Sequence, residues 1–370
     1  MRYQRMPIEV ESPEQIGYGA IRFNLAESSV RDRTVGSLGL ELDLDATLLL
    51  YGDHRGHPGL RALLAAEGGC DPDQVLLTAG AAGALFIVAT SLLEAGDHLV
   101  VLRPNYATNI ETPRAIGADS TYVDLAFERG WRWTADEIVA AMTPRTRLVS
   151  ITTPHNPTGV VFGRAELARL AGLVAERGAY LLVDETYRDL TLTEPAPFAT
   201  ALGANVISVA SMSKAYGLPG LRMGWLMTRD ATLNERFLAA KEQIFITGAV
   251  LDEEIAYQVY RRRAQERTAI VGVVAAGRGI VRDWIRSEPA MEWVEPAGGV
   301  VAFPRIAPRS DVDVARFYAE LNGTHGTWVG PGHWFEQHDR YMRIGFGWPS
   351  TDDLHGGLAT ISASLRASGG

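Results

Sequence analysis

One lysine stands in a segment of distinctive composition, residues 211–225, which also holds two serines, an arginine and a turn rich in glycine and proline. The segment follows a short apolar run that is typical of a buried strand. Lysine is rarely buried without a reason, and a lysine amine held in a site can form a Schiff base with a carbonyl, including that of pyridoxal phosphate (PLP). The hydroxyls of Ser211 and Ser213 and the forked guanidinium of Arg222 are suited to hold a phosphate. The pattern therefore predicts a Schiff-base lysine, Lys214; the alternative is an exposed lysine in a loop.

The region before this lysine alternates between short apolar runs and helix-like segments. We predict strands over residues 74–78, 98–102, 121–125, 147–151, 180–184 and 205–210, and helices over residues 81–93, 107–116, 135–142 and 164–177. Such alternation is typical of βαβ units and a mostly parallel sheet. The run at residues 205–210 is expected to complete that sheet.

Three polar side chains follow or end strands of this predicted sheet. They are Asn156, Asp184 and Lys214. Ligands of parallel sheets bind at the carboxyl ends of the strands. We therefore expect these three side chains to converge on one site.

Length and composition limit the class of protein. The 370 residues are 46% hydrophobic and 21% charged, which suits a soluble globular protein of two or three domains. The net charge of −9 argues against nucleic acid or an anionic membrane as the main partner. The single cysteine, Cys70, excludes an intrachain disulfide. Neither a signal peptide nor a membrane span is evident, so we expect a cytoplasmic protein.

The two ends of the chain have a different pattern from the alternating region. Residues 1–45 show little periodicity, and a helix is predicted over residues 60–66. Residues 231–285 are predicted to be helical, with a basic run at residues 261–263 that we interpret as a solvated helix face. The C-terminal part predicts a smaller α+β unit. Its elements are strands at residues 291–294 and 299–303 around a turn, a helix at 311–321, a strand at 341–346, and a helix at 350–365 capped by Ser350.

The pattern Ser-x-Ser-Lys-x-x-Gly-x-x-Gly-x-Arg-x-Gly-Trp of residues 211–225 resembles the lysine segment of class I/II aminotransferases, which are PLP enzymes of fold type I. The resemblance extends from about Leu25 to the C-terminus. It implies an α/β fold with a large PLP-binding domain over residues 46–285, and a small domain formed by residues 1–45 and 286–370. It also implies PLP as the cofactor and a homodimer with shared active sites, with no metal assigned.

The resemblance implies roles for the residues at the strand ends. Lys214 binds the cofactor and moves the Cα proton of the substrate. Asp184 keeps the pyridine nitrogen protonated, although by itself it is equally well a strand-end aspartate that caps the next turn. Tyr187 and Asn156 hydrogen-bond the 3-oxygen of the cofactor, and Asn156 also belongs to the substrate site. We interpret its neighbour His155 as structural.

The phosphate and the ring face have their own candidates. Gly80, Ala81 and Ala82 lie between a strand and a helix, where backbone amides can approach a phosphate, although small residues also serve tight packing. Tyr106 matches the aromatic residue that stacks on the ring, or it is a core aromatic at a helix start. Tyr51 matches the tyrosine that reaches the phosphate of the neighbouring subunit.

The substrate candidates lie at both ends of the chain. Arg343 resembles the arginine that pairs with the substrate α-carboxylate through two parallel hydrogen bonds. Many relatives have a small glycine-containing N-terminal turn, whereas this chain has Ala26 and Glu27 there. Glu27 either meets a cationic side chain or a hydroxyl of the substrate, or is a solvated loop glutamate. The turn is similar to those of aminotransferase-like enzymes of specialised metabolism, including cyclases that act on hydroxylated arginine.

Three functions are compatible with these residues. The first is an aminotransferase that moves an amino group between an L-amino acid and a 2-oxo acid. The second expels a β- or γ-group, which gives elimination, replacement or cyclisation. The third, a non-catalytic PLP-binding module such as the sensor of a transcription factor, ranks last because no basic helical extension precedes Tyr51. No second arginine can be assigned to a dicarboxylic side chain, and the sequence does not identify the amino acid.

Overall fold

The computed structural model describes residues 1–369 of the chain. The strands are β1 (Phe23–Asn24), β2 (Val75–Ala79), β3 (His98–Arg103), β4 (Asp119–Asp124), β5 (Thr146–Thr152), β6 (Tyr180–Asp184), β7 (Val206–Ser211), β8 (Met223–Thr228), β9 (Met291–Glu292), β10 (Val301–Ala302), β11 (Arg305–Ile306), β12 (Thr327–Trp328), β13 (Gly330–Pro331) and β14 (Met342–Gly345). The α-helices are α1 (Pro7–Val10), α2 (Pro13–Ile16), α3 (Pro58–Gly68), α4 (Gly80–Leu92), α5 (Thr108–Ile116), α6 (Ala135–Ala140), α7 (Arg164–Ala175), α8 (Ala231–Phe245), α9 (Val250–Tyr260), α10 (Arg263–Ser287), α11 (Val314–Tyr318) and α12 (Thr351–Ala367). Within residues 1–369, no helix is long and apolar enough to cross a membrane.

A seven-stranded sheet in the order β2-β8-β7-β6-β5-β3-β4 forms the centre of the protein. Its strands are parallel except β8, which runs antiparallel to both of its neighbours. Helices α4, α5 and α8 pack on one face, and α6 and α7 pack on the other. Because helices cover both faces, the central strands are buried at nearly every position and are rich in apolar residues, which is why they were recognisable as short runs.

The predicted sheet lacked one strand. We expected the run at residues 205–210 to complete the sheet, whereas β8 follows the lysine segment and inserts between β2 and β7. Its residues Met223–Thr228 are buried throughout. The first three of them, Met223, Gly224 and Trp225, belong to the lysine segment of residues 211–225, so the apolar run was not interpreted as a strand.

The C-terminal part forms small sheets, with β14 between β10 and β13. The N-terminal β1 pairs in parallel with β12, which places the start of the chain beside this part. The two strands predicted around residues 296–298 do not pair with each other, because β9 pairs with β11 and β10 pairs with β14. The turn between them instead binds the body of the protein, since the amides of Ala297 and Gly298 donate to the carbonyl of Gly159 at 2.8 and 3.0 Å. Ser350 caps α12 as predicted, since its side chain accepts from the amide of Asp353.

The basic run at residues 261–263 is not a solvated helix face. It spans the junction between α9 and α10. Arg263 donates to Asp189 at 2.7 Å and pairs with Glu67 at 3.2 Å, in a largely buried environment. Only Arg261 of the three is well exposed, at 45% of its side chain. The interpretation was wrong because both acidic partners come from distant parts of the sequence.

Candidate functional site

A cavity of about 390 Å³ opens at the carboxyl ends of the central strands. Asn156 reaches it from the loop after β5, Asp184 from the last position of β6, and Lys214 from the loop after β7. These strands are neighbours in the sheet. The expectation that the three side chains converge is therefore confirmed. We call this space the strand-end cavity.

Asp184 is a buried carboxylate whose environment lacks a full counter-charge. Its Oδ1 accepts hydrogen bonds from the amide and the hydroxyl of Thr186, at 3.0 and 2.6 Å. Burial nevertheless raises the pKa of Asp184, and the bonds from Thr186 oppose this only in part. Asp184 thus caps the turn that follows and also faces the strand-end cavity, so both of its predicted roles are compatible with its position. A carboxylate in this state is stabilised by a cationic group bound beside it.

The amine of Lys214 is tuned toward its neutral form. Burial lowers the pKa of Lys214 below its ordinary value, and the carboxylate of Glu27 offsets only part of this effect. The neutral amine is the form that attacks carbonyl groups and accepts protons. The lowered pKa therefore favours the form that both predicted roles of Lys214 need.

Two tyrosines and an asparagine complete the middle of the cavity. Tyr187 and Asn156 are buried and line it, and Tyr106 lines it from the start of α5. Burial raises the pKa of Tyr187 to about 12, so its hydroxyl stays a hydrogen-bond donor. His155 is fully buried outside the cavity lining, with its Nδ1 2.8 Å from the hydroxyl of Thr158. Its position agrees with the structural role predicted for it.

One end of the cavity is built from small residues, hydroxyls and an arginine. Ala81 and Ala82 in the first turn of α4 line this end together with Ser211, Ser213 and Arg222. Backbone amides at the start of a 13-residue helix favour an anion. This end has the donors expected of a phosphate site.

Glycines allow the first turn of α4 to lie directly against β8. A Cβ at Gly224 would stand 2.3 Å from the carbonyl carbon of Gly80 and 2.6 Å from the amide nitrogen of Ala81. A side chain at Gly80 would stand 2.5 Å from the guanidinium of Arg222. Gly80 is not part of the cavity lining, so its position favours a packing role, and contact with a cofactor remains a prediction for this residue.

Arg343 on β14 is a buried guanidinium that also lines the cavity. It is 4% exposed and donates to the Asn156 Oδ1 at 3.2 Å and to the carbonyl of Ala26 at 2.8 Å. Its Nε has no hydrogen-bond partner among the described residues. Burial lowers the pKa of Arg343, although it remains a cation. A buried cation with a free donor is a suitable site for a carboxylate.

Residues from the N-terminal part of the chain contribute a wall of carboxylates to the cavity. Glu9 and Glu27 are half-buried there and Glu14 is exposed at the rim. The hydroxyl of Tyr18 donates to Glu27 Oε1 at 3.1 Å. Glu27 is therefore part of the cavity wall and is not a solvated loop residue. Sequence reasoning missed Glu9 and Glu14; the available signal was a proline at the first helical position, Pro7 and Pro13, just ahead of each of them.

Tyr51 lies apart from the cavity and is 75% exposed. It belongs to an exposed apolar stretch, together with Leu48, Leu49 and Leu50, that lies beside Thr247–Asp252 at another cavity. A contact between Tyr51 and a phosphate thus requires a second copy of the chain. Its role remains a prediction.

The residues of the strand-end cavity fit PLP. The cavity combines a buried amine whose pKa is lowered, a buried carboxylate without a full counter-charge, and an anion site at a helix start. These are the groups that an aldehyde, a pyridinium nitrogen and a phosphate require. Lys214, Asp184 and the first turn of α4 would hold these three parts.

Comparison with known proteins assigns the family. The profile described as "Aminotransferase class I and II" matches residues 24–356. The chain belongs to this family of enzymes. Its fold is that of the type I PLP-dependent aminotransferases and its cofactor is PLP.

Individual relatives differ in the reactions that their names describe. The chain is 32% identical over 358 residues to the capreomycidine synthase of Streptomyces vinaceus, covering 94% of this chain and 91% of that protein. It is 27% identical over 308 residues to an arginine–pyruvate transaminase of Pseudomonas aeruginosa, covering 77% of this chain and 74% of that protein. The solved structure of the PLP-dependent cyclase OrfR superposes with a TM-score of 0.87 at 28% identity, covering 99% of this chain and 98% of that one.

Proposed function

We propose that this chain converts an L-amino acid by removing its Cα proton, with Lys214 as the group that binds the cofactor and moves that proton. When bound, PLP withdraws electrons from the Cα of the attached amino acid. Asp184 would keep the ring nitrogen of the cofactor positively charged, and Tyr187 and Asn156 would bind the 3-oxygen of the cofactor. Ala81, Ala82, Ser211, Ser213 and Arg222 would hold the phosphate, and Tyr106 would cover the ring.

One observation carries this proposal. Arg343 is a buried cation with an unpaired Nε, and it lies in the same cavity as the amine of Lys214. A guanidinium of this kind binds a carboxylate by charge-assisted hydrogen bonds. An α-carboxylate held by Arg343, beside Asn156 and Ala26, places the adjacent Cα inside the cavity that Lys214 lines. The cavity thereby selects α-amino acids.

The carboxylate wall supports a substrate with a cationic side chain. Glu9, Glu14 and Glu27 line the same cavity as Arg343 and Lys214, where they can face the side chain of a bound amino acid. Negative charge in the cavity wall favours a cationic side chain and disfavours an acidic one. The arginine–pyruvate transaminase relative agrees with this assignment. We therefore propose an arginine-like substrate.

Transamination is our first candidate for the reaction, because the family and the arginine–pyruvate transaminase relative support it. Cyclisation is the second, and two specific observations favour it. The capreomycidine synthase relative covers 94% of this chain, and a PLP-dependent cyclase shares its fold at a TM-score of 0.87. Both reactions begin with the same proton removal by Lys214.

We also propose a homodimer in which Tyr51 of each subunit reaches the phosphate site of the other. The support is the exposed apolar stretch that contains Leu48, Leu49, Leu50 and Tyr51. Exposed apolar groups next to one another in sequence are typical of surfaces that are covered in an assembly. Sedimentation of wild-type protein and of Tyr51→Phe, combined with the PLP affinity of each, tests both parts.

A single half-reaction distinguishes the two candidate reactions. The PLP-loaded enzyme is mixed with L-arginine or with 3-hydroxyarginine in the absence of any 2-oxo acid, and the products are identified by mass spectrometry. A 2-oxo acid formed once per active site means aminotransfer. A ring-closed product formed over many turnovers, with the cofactor spectrum restored, means cyclisation. If neither compound reacts while uncharged amino acids do, the proposal of a cationic substrate is wrong.

A further inference from the structure

The N-terminal residues that supply part of the carboxylate wall are hydrogen-bonded to distant parts of the chain at one point. We define the acidic segment as residues 5–17, which include α1 and α2. Its side chains at Ile8, Glu9, Ser12, Pro13 and Glu14 line the strand-end cavity. On its other side Val10, Glu11 and Ile16 line a second cavity of about 870 Å³, next to the C-terminal part. The segment is therefore a thin partition between two spaces.

Glu11 provides the polar attachment of this partition. Among the described residues, the hydrogen bonds that join the acidic segment to distant parts of the chain all end on the carboxylate of Glu11. Its Oε2 lies 2.8 Å from His333 Nε2 and accepts a bond of 2.7 Å from Trp334 Nε1. The remaining attachment is apolar, chiefly the buried side chain of Ile8.

The geometry around His333 defines its charge. Its Nε2 faces Glu11, and its Nδ1 lies 2.9 Å from Asp339 Oδ1, which also accepts the backbone amide of His333. Because carboxylates only accept hydrogen bonds, both ring nitrogens have to donate, which requires the imidazolium form. Loss of one proton turns a donor into a lone pair that faces a carboxylate, so the contact becomes repulsive.

We propose that protonated His333 is a positioning residue that holds the acidic segment against the body of the protein, and that it thereby keeps Glu9 and Glu14 at the wall that selects the substrate. The second half of this inference rests on the proposed function. Trp334 contributes directly, since its ring lines both cavities. Neutralising His333 is expected to release the segment and to weaken binding of a cationic substrate, with little effect on PLP.

The surrounding charges support this assignment. Burial acts to lower the pKa of His333, but the bonds to Glu11 and Asp339 outweigh it and raise the pKa above its ordinary value. Arg5, Glu111, Arg114 and Glu336 line the adjoining groove, where Arg114 pairs with Glu111 and Glu336. His338 accepts from the amide of Arg340. The attachment is therefore complete below the ordinary histidine value of about 6.5 and is lost as the pH rises through the raised value.

Hydrogen exchange of the PLP-loaded enzyme tests the attachment without any turnover. Protection factors of the amides in the acidic segment are compared at a pH of about 6 and about 9 for wild-type protein, His333→Gln and Glu11→Gln. We expect the protection factors of the wild-type protein to fall severalfold at the higher pH. Both variants should show the low protection factors at both pH values. His355→Gln, an exposed histidine on α12, is the control and should behave as wild type. Glu11 lies on an exposed turn, so its substitution should not disturb folding. Equal protection factors in the wild-type protein and in Glu11→Gln would overturn the proposal.

Steady-state kinetics at a pH of about 6 tests the consequence for the substrate. His333→Gln should raise the KM for L-arginine by about two- to fivefold, the effect of one partly exposed ion pair. The KM for L-norleucine and both kcat values should stay unchanged. An equal rise for both amino acids would exclude the positioning of Glu9 and Glu14. If L-arginine is no substrate at all, the proposed substrate class fails, while the exchange experiment still decides the role of His333.

Discussion

Asn156, Asp184 and Lys214, which we call the floor of the strand-end cavity, are held in place differently from the carboxylate wall. Asn156, Asp184 and Lys214 follow or end three adjacent strands, whose backbones are fixed by continuous hydrogen bonding within the sheet. The wall comes from two one-turn helices, attached through Glu11 and a few apolar contacts, and from the loop of Glu27, whose neighbour Leu25 is hydrogen-bonded to β12 and β14. The groups that we propose to act on every substrate thus lie on the sheet, whereas Glu9 and Glu14, which we propose to distinguish substrates, lie on the part with the fewest attachments.

A substitution in the floor should have the largest effect on activity. Lys214→Ala should lose about 10²- to 10⁴-fold in kcat, because the group that moves the Cα proton is gone. The variant should still bind PLP, but without the absorbance of a lysine-bound cofactor. Lys214→Arg, which keeps the positive charge, should be equally inactive with L-arginine. Substantial turnover by either variant would mean that the floor does not carry the reaction.

Arg343 lies between the two regions and should show an intermediate effect. Charge-assisted hydrogen bonds contribute about 1.5–3 kcal/mol, so Arg343→Ala should raise the KM for L-arginine by about 10- to 100-fold. The PLP spectrum should not change. Arg316→Ala, at an exposed position of α11, is the matched control. L-argininamide lacks the α-carboxylate, so if Arg343→Ala impairs this compound as much as L-arginine, the guanidinium does not bind that group.

Substitutions at the carboxylate wall should have the smallest effects. These effects should be confined to the preference between substrates. Glu27→Gln should reduce the preference for L-arginine over L-norleucine by about fivefold, as expected for a half-buried charge. Tyr18→Phe removes one hydrogen bond to Glu27 but leaves its charge, so the preference should fall by only about twofold. Ratios of kcat/KM measure both. A loss of kcat with both substrates would mean that Glu27 takes part in the reaction itself and not in the selection of the substrate.

Sequence reasoning worked best where structure repeats locally. The alternation of apolar runs and helices predicted six strands of the sheet and the convergence of Asn156, Asp184 and Lys214, because strand ends meet at one edge of a parallel sheet. Arg343 reaches the same cavity as the resemblance implied.

The missed features depend on contacts between distant residues. The position of β8 is set by pairing with β2 and β7, and the burial of Arg263 is set by Asp189 and Glu67. Neither the position of β8 nor the burial of Arg263 produces a periodic pattern in the sequence of its own segment. The helices of the acidic segment span a single turn each, which is too short for the helical period to appear.

The insertion of β8 between β2 and β7 also constrains the order in which the site can assemble. Strand β2 is at the edge of the sheet and pairs with β8 alone, and β8 is synthesised long after it. The first turn of α4, which follows β2 directly, rests on Gly224 of β8. A nascent chain that ends before residue 223 therefore has the predicted lysine but no seated helix start for the phosphate. Capture of the cofactor during synthesis should thus begin only after β8 has left the ribosome, which makes PLP binding a marker of the completed sheet.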